Sequence, residues 1–159
     1  MNRALKVSLF LLIITVVIAG CTKRFIPNTD IEDTEVNREI IQFCERYRNA
    51  VEDLNLGLLM SLASPRYFDN SGTLQGDDDM DRAGLEENLK LQFSQLKAIR
   101  HEIHYRDIFE QDGIINVEYY YTTNFQYEIN GEKKWSNKTA DNRLEIERVD
   151  NGFLIVSGM

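Results

Sequence analysis

The chain has 159 residues, with 26 acidic against 18 basic side chains and a formal charge of −8. That length suits one ordinary domain with a real core. The acidic balance excludes a nucleic-acid binder, which needs a basic footprint, and leaves no polybasic patch for anionic lipid.

Residues 1–21 open with Arg3 and Lys6, continue as a nearly unbroken apolar run over Val7–Ile18, and end Ile18-Ala19-Gly20-Cys21. A basic head, a short apolar run and small residues before a cut are the parts of a secretory signal. The run is shorter than the roughly 20 residues of a transmembrane helix. The ending resembles the lipobox of bacterial lipoproteins. That resemblance implies cleavage after Gly20 and acylation of Cys21, so that the membrane is the first expected partner. Loss of Arg3 and Lys6 with residues 1–20 makes the mature chain more acidic still. Thr22 stands where lipoproteins retained at the inner membrane tend to carry Asp. The expected location is the cell envelope: the periplasmic face of the outer membrane in a two-membrane cell, otherwise the outer face of the plasma membrane.

Residues 21–33 read as the lipidated cysteine and a flexible tether, reaching roughly 40 Å if extended. Phe25 and Ile26 could pack on the domain or dip into lipid. The domain proper is expected over residues 34–159. A first helix should start at Thr34, a good N-cap followed by Glu35. Its apolar stripe is Val36, Ile40, Phe43, Cys44, Tyr47 and Val51. Cys44 lies within that stripe, and the spacing makes it a small core residue rather than a nucleophile, since no nearby motif supplies a base. Asp53 should cap a shorter helix carrying Leu54, Leu58, Leu59 and Leu62, stopped at Ser64-Pro65. Residues 66–76 read as a loop with Tyr67 and Phe68 tucked back.

Asp77, Asp79 and Asp81 have the spacing that opens a calcium loop. The Gly and Glu which that loop needs later are Arg82 and Asn88 here. An acidic cap on a third helix is the better reading, and no metal is expected. That helix carries Leu85, Leu89, Phe93 and Leu96 on one face. From Ala98 the period becomes two. Ile99, His101, Ile103 and Tyr105 alternate with Arg100, Glu102, His104 and Arg106. Gln111-Asp112-Gly113 turns the chain into a long strand with Ile115, Val117, Tyr119, Tyr121, Thr123, Phe125 and Tyr127 on one side. Asn130-Gly131 is a strong hairpin signal. The following strand, from about Lys133 to Val149, puts Leu144 and Ile146 inward, and its length implies a bulge or bend that leaves the register before Asp141 open. Asp150-Asn151-Gly152 turns into a last strand with Phe153, Ile155 and Ser157.

Three helices followed by a strand meander make an α+β domain. Two segments carry a resemblance to the nuclear transport factor 2-like superfamily, which includes SnoaL-type polyketide cyclases and ketosteroid isomerase. One is Ile40–Phe68 with Tyr47, Ala50, Asp53 and Leu54; the other is Asp141–Met159, where Gly152-Phe153-Leu154-Ile155 stands for Gly-Trp-x-Ile. The resemblance implies three helices packed on a strongly curved antiparallel sheet, often with a conical pocket. Inward residues would line it: His101, Tyr105, Tyr119, Tyr121, Tyr127, Leu144 and Ile146, with Asn142 a further candidate. The sheet acids Glu102, Glu118, Glu145 and Glu147 share the outward phase, and Asp141 would turn inward only through a bulge.

The expected function is a membrane-anchored, non-catalytic module that binds a small apolar ligand or a protein partner, without a cofactor. One alternative is a lipid-anchored isomerase, cyclase or dehydratase using His101 with Tyr105 or Tyr121. Another is a structural lipoprotein forming a homodimer through outward Tyr120, Thr122 and Asn124.

Overall fold

The computed structural model describes residues 23–70 and 79–159. Cys21 and Asp77 lie outside them, and so do the leader and most of the loop before the third helix. Three helices pack against one four-stranded antiparallel sheet. The elements are α1 (Glu35–Glu52), α2 (Leu56–Leu62), β1 (Phe68–Asp69), β2 (Met80–Asp81), α3 (Arg82–Gln95), β3 (Leu96–Gln111), β4 (Ile114–Ile129), β5 (Glu132–Val149) and β6 (Gly152–Ser157). The large sheet has the order β3-β4-β5-β6, and β1 pairs with β2.

Thr34 caps α1 by accepting a hydrogen bond from the Asn37 backbone N–H. The buried stripe of α1 is Ile40, Ile41, Phe43, Cys44, Tyr47 and Ala50. Val36, at the free end of the helix, stays 51% exposed. Asp53 does not cap α2, as its position suggested. Its N–H still bonds back to Asn49 and Val51, so it closes α1 instead. Leu54 then takes a left-handed turn at φ 51°, and Asn55 caps α2 by accepting from the Leu58 N–H. Leu58 consequently faces solvent while Leu59, Met60 and Leu62 are buried. After the helix Tyr67 is buried but Phe68 is exposed, pairing in β1 rather than tucking back. Asp81 caps α3 through the Gly84 N–H, the role expected of the acidic run.

The segment read as a loose tether is folded from Arg24 onward. Phe25 bridges Glu32, the Ile26 N–H bonds to Ile31 O, and the Asp33 N–H bonds to Arg24 O. The resulting small hairpin is tied to β3 by the Asp30 N–H on Tyr105 O. Ile31, 3% exposed, is its apolar anchor in the core. Mixed charge along the segment masked this single buried residue in the sequence.

The first two turns of the long meander have two consecutive positive φ values: Asp112 and Gly113 (53° and 78°), then Asn130 and Gly131 (53° and 79°). That is the type I′ geometry that suits twisted hairpins. β4 and β5 pair without interruption from Ile115–Ile146 to Ile129–Glu132. No bulge interrupts this pairing. Irregularities fall at Leu96/Ala98 and Tyr105/Asp107 in β3, and at Glu145/Ile146 against β6. Extra residues on the edge-side pairings bend the sheet around the helices. The floor of the core is Val117, Leu144, Ile146 and Ile155, each 0% exposed, beneath Phe43, Leu59 and Leu85.

Candidate functional site

The curved sheet and α3 leave a cavity of about 450 Å³ between them. Its walls come from β3, β4 and β5 on one side, and from Leu85, Leu89 and Phe93 of α3 on the other. The expected face of α3 is therefore only partly buried because it faces this space. Tyr47 and Val51 of α1 close the inner end.

The uninterrupted ladder sorts the inward side chains into cross-strand rows. Tyr105, Tyr119 and Asn142 share one; Ile103, Tyr121 and Ala140 the next; His101, Thr123 and Lys138 a third. The Asn142 side-chain amide donates to the Tyr119 hydroxyl at 2.9 Å and to Gly158 O at 3.0 Å. Tyr119 is 2% exposed, and burial raises its hydroxyl well above the ordinary tyrosine range. Burial likewise pushes Tyr47 up to about 12. These phenols stay protonated and serve as neutral hydrogen-bonding groups.

His101 is the most constrained polar group of the wall. Only 6% of it is exposed. Nδ1 lies 2.6 Å from Thr123 Oγ1, the ring sits 5.2 Å from that of Tyr121, and Nε2 is buried with no hydrogen-bond partner. Its backbone N–H donates to Glu52 at 2.8 Å, and Arg48 binds both Glu52 and Glu45 at 2.7 Å. Burial lowers the imidazole to about 4, against a smaller opposing pull from Glu52. At neutral pH the ring is uncharged.

Of the residues expected in the cone, His101, Tyr119, Tyr121 and Asn142 line this cavity. Tyr105 lies behind its wall and donates its hydroxyl to Glu45 at 2.9 Å. Tyr127 lies further out, beside Phe125 and Ile129 in a neighbouring groove. Leu144 and Ile146 are core. Asp141 is not turned inward, because no bulge separates it from its β4 partner Tyr120. It is exposed and paired with Arg106 at 2.8 Å. Glu118 pairs with Arg143, and Glu147 accepts from Ser64 and Arg66, all away from the cavity. The outward Tyr120 is stacked with His104 at 4.9 Å and covered by Arg106.

Sequence reasoning missed Tyr47, Thr123 and Lys138 as wall residues. Tyr47 carries only a helix-core signal. Thr123 was in the correct phase but chemically plain. Lys138 lies before Asp141, where the register had been left open.

No family model matches the chain, and no curated protein does. Solved structures do. A nuclear transport factor 2-like superfamily protein from Salmonella enterica superposes with a TM-score of 0.62 at 15% identity, over 77% of this chain and 87% of its own. A candidate scytalone dehydratase from Novosphingobium aromaticivorans gives 0.65 at 13%, over 77% and 80%. A candidate calcium/calmodulin-dependent protein kinase II association domain from Xanthomonas campestris gives 0.62 at 20%, over 89% and 94%. Identities this low speak to architecture alone. The fold is the α+β cone of the nuclear transport factor 2-like proteins.

Proposed function

We propose that this chain is a lipid-anchored envelope module that holds a small, mostly apolar molecule in its cone without transforming it. The observation that carries the reading is the cavity. It has about 450 Å³ of space, aliphatic and aromatic walls, and Tyr119, Tyr121, His101 and Asn142 as convergent polar groups. That is the usual make-up of a small-molecule site. No Asp or Glu side chain stands among the described wall residues to serve as a base. The anchor rests on the lipobox ending at Cys21. With Arg24–Asp33 folded against β3, only Thr22 and Lys23 would separate the lipid from the fold, about 10 Å of chain from Cys21 to Arg24. The domain would ride close to the bilayer rather than on a long leash.

Full-length protein in lipid nanodiscs, incubated with envelope extract, should retain a discrete small mass in native mass spectrometry. Leu89→Trp, which fills the cavity from α3, should lose it. No retained mass, or the same mass on the filled variant, would count against the binding reading. Cys21→Ala should move the protein from the membrane fraction to the soluble one; unchanged membrane association would count against acylation at Cys21.

Acid–base chemistry at His101 is the second reading, favoured by one observation: a neutral imidazole whose buried Nε2 has no hydrogen-bond partner among the described residues. Of its two expected tyrosine partners, Tyr105 is committed to Glu45, which leaves Tyr121.

A further inference from the structure

The third cross-strand row contains more chemistry than a packed wall needs. His101, Thr123 and Lys138 lie side by side on β3, β4 and β5 in unbroken register. His101 Nδ1 faces the Thr123 hydroxyl at 2.6 Å, which orients the ring toward the middle strand. Lys138 is exposed at the rim of the cavity. Its ammonium lies 5.9 Å from the centre of the Tyr121 ring, and no ion pair joins it to a carboxylate among the described residues. Among the described wall residues it is the one charged side chain, and none of them is an acid, although the chain has 26 Asp and Glu.

Resting on the binding reading above, we propose that the ligand is an apolar carboxylic acid, bound as the anion, with its carboxylate over Thr123 between His101 and Lys138. Neighbouring strands lie about 4.8 Å apart, so a group over the middle strand is one strand from each flanking residue. Lys138 supplies the charge. The His101 Nδ1–H donates to Thr123 Oγ1, which leaves the Thr123 hydroxyl proton free to donate to the carboxylate. The apolar body of the ligand extends toward Leu89 and Phe93. A cation at the rim and a neutral donor deeper in the wall select an acid over its amide or alcohol. They do so without burying an unpaired charge when the site is empty.

The test is isothermal titration of full-length protein in nanodiscs, with empty nanodiscs subtracted. The probes are cinnamate against cinnamamide and naphthoate against naphthamide. Wild-type protein should bind each acid about tenfold or more tightly than its amide, a difference of about 1.4 kcal/mol. Lys138→Met should shrink that preference to about threefold or less, and Lys138→Arg should keep it, since Arg retains the charge. Equal binding of acid and amide to wild type, or a full preference surviving in Lys138→Met, would overturn the assignment while leaving the cavity a binding site. Failure of all four probes would overturn both.

Discussion

Phe43→Ala should lower the unfolding free energy by about 3–5 kcal/mol, as expected for truncating a fully buried aromatic. Phe43 is 1% exposed and its ring lies 5.6 Å from that of Phe153, so it ties the middle of α1 to the last strand. Arg148 covers the far side of Phe153 at 4.7 Å, which limits how far the site can collapse around the lost ring. A domain of this size has only about 5–15 kcal/mol to lose. Urea unfolding followed by circular dichroism would measure the change. A loss under about 1 kcal/mol would mean that α1 is not held to β6 through this contact. The test is independent of any ligand, because Phe43 lies outside the cavity wall.

Acidification from pH 6.5 to 4 should remove up to about 3 kcal/mol of stability through His101 alone. The sign follows from the direction of its shift. Burial holds the folded imidazole near 4, below its ordinary 6.5. Between those values the unfolded chain binds a proton that the folded chain does not. Stability from this group is therefore complete above about pH 6.5 and is lost as the pH falls through 4. Carboxylates such as Glu147, held low by the Arg66 and Ser64 hydrogen bonds, lose their contribution in more acid solution. His101→Gln keeps a polar side chain beside Thr123 but cannot titrate. Its stability should be flatter than wild type over that interval, and parallel profiles would show that His101 takes up its proton without unfolding penalty.

Much of the architecture could be read from residue patterns, for reasons tied to particular places. Thr34, Asp112-Gly113 and Asn130-Gly131 are local devices: a cap and two turns whose backbone demands few residues satisfy. The alternation from Ile99 to Tyr105 and from Ile115 to Tyr127 set the inward phase, because His101, Tyr105, Ile115, Val117 and Tyr119 on that face are buried. The failures share a cause too. Asp53 looked like a cap because its side chain is suited to one, yet the helix before it had not finished. The Arg24–Asp33 hairpin depends on Tyr105, more than seventy positions away, and no local pattern reports such a contact. Lys138 was lost for want of a register, which the straight β4–β5 ladder supplies. The cavity itself was the least legible feature. It depends on α3 being held off the sheet, a distance no periodicity encodes.

Cys44, 0% exposed on the buried face of α1, has its thiol pushed far above the ordinary range by burial. It is the free thiol among the described residues. A reagent can meet it as a thiolate only after the helix lifts from its neighbours, so in the intact fold the sulfur is chemically silent. Its alkylation rate then equals the intrinsic rate scaled by the fraction of time the helix is open. The chain thus contains its own clock for helix detachment, and oxidants act on it no faster than that clock runs.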